Sequence, residues 1–370
     1  MAKVISVIFP SIYFGGHEVM MIKIIKELTR TGKNKVVCFC ASSNEKLISA
    51  LKEQRLSINT FDILSEVNLI SVYFSWRYLL EVLKVLNNAR KLSDSIFLVQ
   101  GSIELGCGFL LVSKLAGIKV ISYIPFAHSY KELNRKYAII RDLAASVVYK
   151  MTNNYITISE FAKKQILDKN IHAQVGICEN FISEISTEDD YSLHEKQVDE
   201  FNVFVVGRIV FSHKCQDVLM ASISELDDKL NKKIIFHVVG DGPDLDSLKM
   251  MACRYNYVNV IFHGWVEKWW RVKPSPDLLV IPSKFEGVPL VMLEAMTRKI
   301  PIIASATDGM NDYLNEYALF ENSSDFKIKM EYIREMITKC INDKNFLNKC
   351  TIYKKNLLVM PELTAFIESY

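Results

Sequence analysis

The sequence predicts an α/β protein built from two doubly wound domains. Three observations carry that expectation. Short apolar runs alternate with amphipathic helical stretches along the chain. A polar, acidic segment from Ser183 to Glu200 interrupts the alternation once. The length, 370 residues, is long for one core and comfortable for two. Strand–helix alternation of this kind argues for parallel sheets covered on both faces.

Taken in order, Val4–Phe9 reads as a buried strand. A turn with Gly15 and Gly16 follows, then a helix from about His17 to Thr31. Its Val19, Ile22, Ile24, Ile25 and Leu28 recur at helical spacing. Val36–Cys40, Ile96–Gln100, Lys119–Ile124 and Tyr155–Ile158 continue as strands, and Ser159 is placed to cap the next helix. Beyond the polar segment a second series begins with Phe201–Val206, Ile234–Val239, Val258–Phe262, Leu278–Ile281 and Ile300–Ala304. The boundary falls near Asn180–Asp199, giving domains over 1–180 and 181–354. Ligands of open α/β sheets bind beyond the carboxyl ends of the strands. Two such domains facing each other would enclose a cleft there.

Composition narrows the function classes. Half the residues are hydrophobic and 24% are charged, as in globular chains. A net charge of +3 is too small to argue for a nucleic-acid partner. The eight cysteines form no CxxC pair, so buried free thiols in a reducing cytosol are expected rather than zinc. The first residues lack a signal-peptide layout, and no run reaches the roughly 18 apolar residues of a spanning helix. The expectation is a cytoplasmic protein, free or peripheral on the inner face of the plasma membrane.

The most informative segment runs from Pro282 to Met296. An apolar strand ends at Ile281, and a polar loop follows with Gly287 and Pro289. Proline suits the first turn of a helix, where its missing N–H does no harm. The N–H groups of that turn, with the positive end of the helix dipole, make a ready phosphate site. Glu286 in the loop and Glu294 in the helix can accept hydrogen bonds from two sets of sugar hydroxyls, one at each end of a diphosphate. An isolated pair of this kind would usually be a solvated surface glutamate and a helix-start glutamate.

This segment resembles the Glu-x7-Glu signature of the GT4 family of retaining glycosyltransferases, in its fuller form PS-x-x-E-G-x-P-x-x-x-x-E-A. Other stretches agree in order. Val205–Arg208 followed by Lys214 resembles the family's G-R-x5-K; a planar guanidinium fork and a compact ammonium both suit a diphosphate. Val238–Pro243 resembles V-G-D-G-P, a turn whose glycines are read as structural. Phe262–Val266 resembles F-x-G-x-V, whose backbone faces the nucleotide base, with His263 read as structural. Phe14–Glu18 is similar to the family's glycine-rich first loop, although His17 stands where a small residue is usual. Ile124–Ser129 resembles the loop that brings a histidine near the reacting sugar. Alone, His128 would be structural; its place at a strand's carboxyl end points to function. Thr157–Phe161 matches x-I-S-E-F. Cys178–Phe181 stands where the family has P-N-G, without the Pro or the Gly.

The resemblance implies a GT-B fold: two Rossmann-like domains facing across a cleft, an N-terminal acceptor domain and a C-terminal donor domain, with a last helix at about 355–370 packed back on the first. It implies transfer of a hexosyl-type group, with retention, from a nucleotide-sugar donor (a UDP-sugar) to a glycan or lipid-linked acceptor in surface polysaccharide or lipopolysaccharide biosynthesis. Arg208, Lys214, Glu286 and His128 are the expected catalytic residues. Gly15, Gly16, Gly207, Val266, Gly287, Val288, Pro289, Leu290 and Glu294 are the expected donor-binding residues. No cofactor or metal is expected. Asp244-Leu-Asp246 has the spacing of a metal–diphosphate motif, but it enters a helix whose dipole favours acids. A GT-B epimerase and a non-catalytic nucleotide-binding subunit remain alternatives. Two aromatic-rich stretches stay outside the site. Tyr130–Lys150, with five basic residues, would suit an anionic membrane surface or a solvated helix face. Ser71–Leu92 is read as helix packing.

Overall fold

A computed structural model describes residues 3–354 apart from 31, 63–67, 134, 183–198, 227–229, 231 and 256–258. The chain divides into two compact units between Asn180 and Phe181. Most of the acidic segment and the expected helix at 355–370 lie outside the described residues.

The first unit runs β1 (Lys3–Phe9), α1 (Gly16–Arg30), β2 (Asn34–Ala41), α2 (Glu45–Glu53), β3 (Ser57–Phe61), α3 (Trp76–Leu92) and β4 (Ser95–Val99). It continues through α4 (Cys107–Leu115), β5 (Ile121–Tyr123), α5 (Ala138–Tyr149), β6 (Asn154–Thr157), α6 (Glu160–Lys169) and β7 (Gln174–Ile177). The sheet order is β3-β2-β1-β4-β5-β6-β7, with parallel neighbours throughout. Central strands are continuous apolar runs because helices cover both faces: Ile5, Val7, Ile8 and Phe9 are all buried. The helix starts obey local chemistry. Glu18 reaches back to accept the Gly15 N–H at 2.8 Å, the acidic half of a capping box. Ser159 accepts the Ala162 N–H at 3.2 Å, as its sequence position predicts.

The second unit runs β8 (Glu200–Val206), α7 (Phe211–Lys214), α8 (Gln216–Ser224), β9 (Lys233–Val239), α9 (Leu245–Arg254), β10 (Asn259–Gly264) and β11 (Leu278–Ile281). It continues through α10 (Leu290–Thr297), β12 (Ile302–Ser305), α11 (Asp308–Tyr313), β13 (Leu319–Phe320), α12 (Phe326–Asn342) and α13 (Lys344–Lys349). Its order is β10-β9-β8-β11-β12-β13, again parallel. The strand order reverses between β8 and β11. The loops leaving these two strands therefore open onto the crevice where such sheets bind ligands.

A polar chain crosses this second core. Asp277 Oδ2 accepts the Asn202 backbone N–H and side-chain amide at 2.9 and 3.1 Å. Asn202 Oδ1 lies 3.1 Å from His237 Nε2, and His237 Nδ1 lies 2.9 Å from His263 Nε2. An amide oxygen only accepts, so His237 Nε2–H donates to it and His237 Nδ1 accepts from His263. Burial, then the neighbouring His263, pushes the His237 pKa down to about 4, partly opposed by Asp277. His237 is thus neutral at pH 7, and burial lowers the His263 pKa as well. The structural reading of His263 matches this geometry.

The sequence reading places β1, β2, β4, β5, β6, β8, β9, β10, β11 and β12 and does not place β3, β7 or β13. The ten strands it places are mostly apolar runs; Ser57–Phe61 is a half-exposed edge strand and Leu319–Phe320 has two residues. One packing expectation needs correction. In Ser71–Leu92 the later residues Val82, Val85, Leu86 and Ala89 are buried, but Phe74 is 81% and Trp76 63% exposed. Phe74 precedes α3 and Trp76 is its first residue, so the exposed aromatics stand at the helix start while its later turns carry the buried positions.

Candidate functional site

At the carboxyl edge of the second sheet, glycines let the loops touch. Gly207 leaves β8 at φ +135° and Gly240 leaves β9 at φ +140°. A methyl group on Gly240 would land on the Gly207 carbonyl, and one on Gly242 would land on the Ile209 backbone. The gap is closed instead by Gly207 N–H to Val239 O and Ile209 N–H to Asp241 O, both 2.9 Å, while Gly240 N–H reaches Gly264 O at 2.7 Å. Asp244 accepts the Phe211 N–H at 2.8 Å, a structural use of the first acid of the DxD spacing. The half-buried Val266 follows Gly264 along the same edge.

These contacts fix the loop that carries Arg208, exposed on its surface, and the short helix α7 that ends in Lys214. Gln216 Nε2 donates to the Arg208 carbonyl at 2.9 Å. Lys214 Nζ pairs with Glu286 Oε1, which also accepts from Ser283 Oγ at 2.9 Å. The two side chains are 24% and 12% exposed, so water only partly screens the pair. The β8 and β11 loops are further tied by Lys284 N–H to His213 O at 2.7 Å. Behind them the buried Lys329 donates to Asn322 Oδ1 at 2.9 Å, and Asn322 Nδ2 donates to the Lys284 carbonyl at 2.8 Å. Desolvation lowers the Lys329 pKa, opposed by the nearby Cys215.

Pro289 is the residue before α10, at φ −67° and ψ 132°, one step earlier than a first-turn position. Leu290 and Val291 therefore supply the first helical N–H groups, since Met292 N–H already bonds the Pro289 carbonyl at 3.1 Å. Val288 is buried and anchors the loop. Gly287 has a partner the sequence does not reveal: any side chain on Gly309, at the start of α11, would collide with the Gly287 carbonyl. Glu294, on the second turn of α10, accepts from the indole N–H of Trp269 at 2.9 Å. Trp269 is fully buried against Phe204, with ring centres 6.2 Å apart. Its neighbour Trp270 meets it edge-on and carries the Arg298 guanidinium over its face at 3.6 Å.

The structure thus brings together Gly207, Arg208, Lys214, Val266, Glu286, Gly287, Val288, Pro289, Leu290 and Glu294 on one sheet edge. Trp269, Gly309 and Lys329 join them without having been picked from sequence. The remaining expected residues lie on the first unit. Gly15 and Gly16 open α1, and a methyl group on Gly16 would meet nothing within 4 Å. His17 Nε2 lies 2.7 Å from the buried Glu18 carboxylate. His128 stacks on Phe126 at 4.4 Å and leans on Phe161 at 5.0 Å.

Comparison with known proteins fits this geometry. Residues 187–357 match the family described as glycosyl transferases group 1. Protein CapJ of Staphylococcus aureus is 28% identical over 184 residues, covering 48% of this chain and 46% of that protein. The lipopolysaccharide 1,6-galactosyltransferase of Salmonella typhimurium is 29% identical over 161 residues, 41% of this chain and 42% of that one. The match thus spans less than half the length of either relative. Among solved structures, HepE of Anabaena in complex with UDP and glucose superposes with a TM-score of 0.70 at 17% identity, covering 94% of this chain and 92% of that one. The chain therefore has the two-sheet architecture of GT-B glycosyltransferases, and its residues 187–357 match the model of the glycosyl transferases group 1 family.

Proposed function

We propose that the protein transfers a hexosyl-type sugar from a nucleotide-sugar donor, a UDP-sugar, to a glycan or lipid-linked acceptor, with retention of configuration, as a GT4-type enzyme of surface polysaccharide or lipopolysaccharide assembly. One observation carries the reading: a lysine and a glutamate from two loops meet at the topological switch point, beside the start of α10, with a second glutamate oriented on that helix. The names of similar proteins, a lipopolysaccharide galactosyltransferase and a protein solved in complex with UDP and glucose, support the class of donor and product.

In this reading negative charge grows on the departing diphosphate as the glycosidic bond breaks, and groups fixed in advance to meet it supply much of the rate. Arg208, Lys214 and the N–H groups of Leu290 and Val291 meet that charge, so the step needs no metal. The diphosphate competes with Glu286 for Lys214, and the released Glu286 oxygen then accepts from hydroxyls of the sugar. Glu294 accepts from the ribose hydroxyls, held in place by Trp269. The acceptor attacks from the side of the leaving group, which takes its proton; His128 lines the acceptor side. Incubation with UDP-sugars and candidate acceptors, with the anomeric configuration of the product read by NMR, tests the proposal. An axial product from an axial donor supports retention. Product formed without any acceptor would instead indicate an epimerase.

A further inference from the structure

The first unit has a switch point of its own. Its strand order reverses between β1 and β4, so the loops leaving these strands open onto the crevice where such sheets receive ligands. His17, in the first turn of α1, reaches from one loop to the other. Its ring lies on Gly101, the second residue after β4: a methyl group on Gly101 would stand 2.9 to 3.0 Å from three ring atoms. Gly101 takes φ +37°, and its carbonyl accepts the Phe126 N–H at 3.2 Å. The buried Gln100 fixes the same turn, donating to the Leu105 carbonyl at 2.7 Å and accepting from Ser122 Oγ at 2.6 Å. The turn is thus held in a shape that admits an imidazole.

The polar groups behind the ring are incompletely satisfied. Glu18 is fully buried. One carboxylate oxygen accepts the Gly15 N–H at 2.8 Å. The other, Oε1, stands 2.7 Å from His17 Nε2, yet the two are not aligned and neither atom makes a hydrogen bond. The hydroxyl of the buried Tyr123 makes none among the described residues. Burial, then the nearby Cys178 and Glu18, pushes the Tyr123 pKa up, so it keeps its proton. Buried polar atoms are ordinarily paired, and exceptions call for a reason.

The reason lies in what the ring presents outward. The His17 side chain is 19% exposed; Nε2 is enclosed, and Nδ1 is the nitrogen that meets solvent. A carboxylate only accepts, so the Nε2 proton faces Glu18 and Nδ1 is left for a ligand. An anion gains little there, because a carboxylate beside an imidazole leaves the pair neutral or negative. A hydroxyl, which both donates and accepts, suits it. Phe126, tied to Gly101 by its N–H, carries His128 stacked at 4.4 Å, so aromatic faces stand next to the same turn. Hydroxyls at the rim and C–H groups on the faces are the chemistry of a sugar ring.

We propose that His17, oriented by Glu18, binds a hydroxyl of a neutral sugar at the switch point of the first sheet. The sugar O–H donates to Nδ1, and the ring settles with Nε2–H in line with Glu18 Oε1, as such contacts tighten when a ligand arrives. Glu18 is the positioning residue. That this sugar is the acceptor rests on the proposed transfer reaction; the binding itself does not.

The test is saturation-transfer NMR of the full chain with methyl glycosides of glucose, galactose and N-acetylglucosamine, with inorganic phosphate as the contrast. At least one glycoside should bind the wild type. His17→Ala, which suits a first helical turn, should weaken that binding about tenfold and keep a cooperative thermal transition. His17→Asn, whose side-chain oxygen can stand in for Nδ1, should recover part of it, whereas a loss caused by repacking alone would not be recovered. Absence of glycoside binding to the wild type overturns the proposal, and so does equal binding by His17→Ala. Phosphate bound through His17 in place of a glycoside would make this an anion site and overturns it too. A glycoside bound through His17 with no product from any UDP-sugar keeps the site and removes the transfer reading. Product formed at an unchanged rate by His17→Ala removes the site from the transfer reaction.

Discussion

The two sheets end in very different edges. At the second, the loops brace one another through an ion pair, glycine contacts that leave no room for a methyl group, and a tryptophan bonded to a helix glutamate. At the first, a histidine lies among phenylalanines and, farther out, apolar side chains face solvent. A charged, rigid group such as a diphosphate rewards fixed donors held in advance. Varied or interfacial ligands reward adaptable apolar contact. Under the proposed transfer reaction, the difference assigns the constant part of the chemistry to the second unit and the variable part to the first.

Substitutions can break this contrast. The largest effect is expected at the ion pair: Lys214→Ala or Arg208→Ala should lower turnover by roughly 10²–10³-fold if these cations meet the leaving charge. Steady-state kinetics with both variants checks this, and near wild-type rates in both would remove the charge argument. Next comes Trp269→Phe, which keeps a large ring and removes one N–H donated to a carboxylate. Hydrogen bonds to charged groups are worth about 1.5–3 kcal/mol, so UDP affinity should fall about tenfold or more, and the gap left by the smaller ring in a buried position should lower the melting temperature as well. Titration calorimetry reads the first and scanning calorimetry the second.

Stability sharpens the comparison further. Gly309→Ala forces a methyl group against the Gly287 carbonyl and should cost about 1–3 kcal/mol, as overpacking does. Gly16→Ala meets open space and should change stability by less than about 0.5 kcal/mol. Urea unfolding of the two variants makes the contrast directly. The buried His237 adds a pH dependence confined to the second unit. Its pKa stands at about 4 in the fold against an ordinary 6.5, so the unfolded chain takes the proton first. Stability contributed by this group is complete above pH 6.5 and falls as the pH drops towards 4, by up to about 1.4 kcal/mol per pH unit. Chemical denaturation from pH 7 to 4.5, wild type against His237→Gln, should show a shallower acid loss in the variant. The smallest effect is expected from chelation: transfer should proceed unchanged in EDTA.

Legibility in the sequence follows the same division. The strands bordering each switch point are continuous apolar runs, and the Pro282–Met296 string fixes a strand, a loop and a helix start at once. Gly207, Gly240 and Gly242 are readable because a strand-to-helix turn needs them locally. Trp269 is not, since its partner Glu294 is 25 positions away and only folding joins them; the adjacent pair Trp269-Trp270 in a polar stretch was the available signal. Gly309 is ordinary until the Gly287 carbonyl lies on it. Lys329 looks like one more cation on an amphipathic helix, though it is buried at the back of the site. In the first unit Tyr130–Lys150 shows its mixed apolar and basic character in sequence, but only the fold shows which acids turn inward.

The most direct test of the central claim is calorimetric titration of UDP into the wild type and the Lys214→Ala variant. Binding to the wild type, weakened about tenfold or more in the variant, would place the diphosphate at the braced edge of the second unit. Equal affinity in both proteins, or no binding of UDP to the wild type, would contradict it.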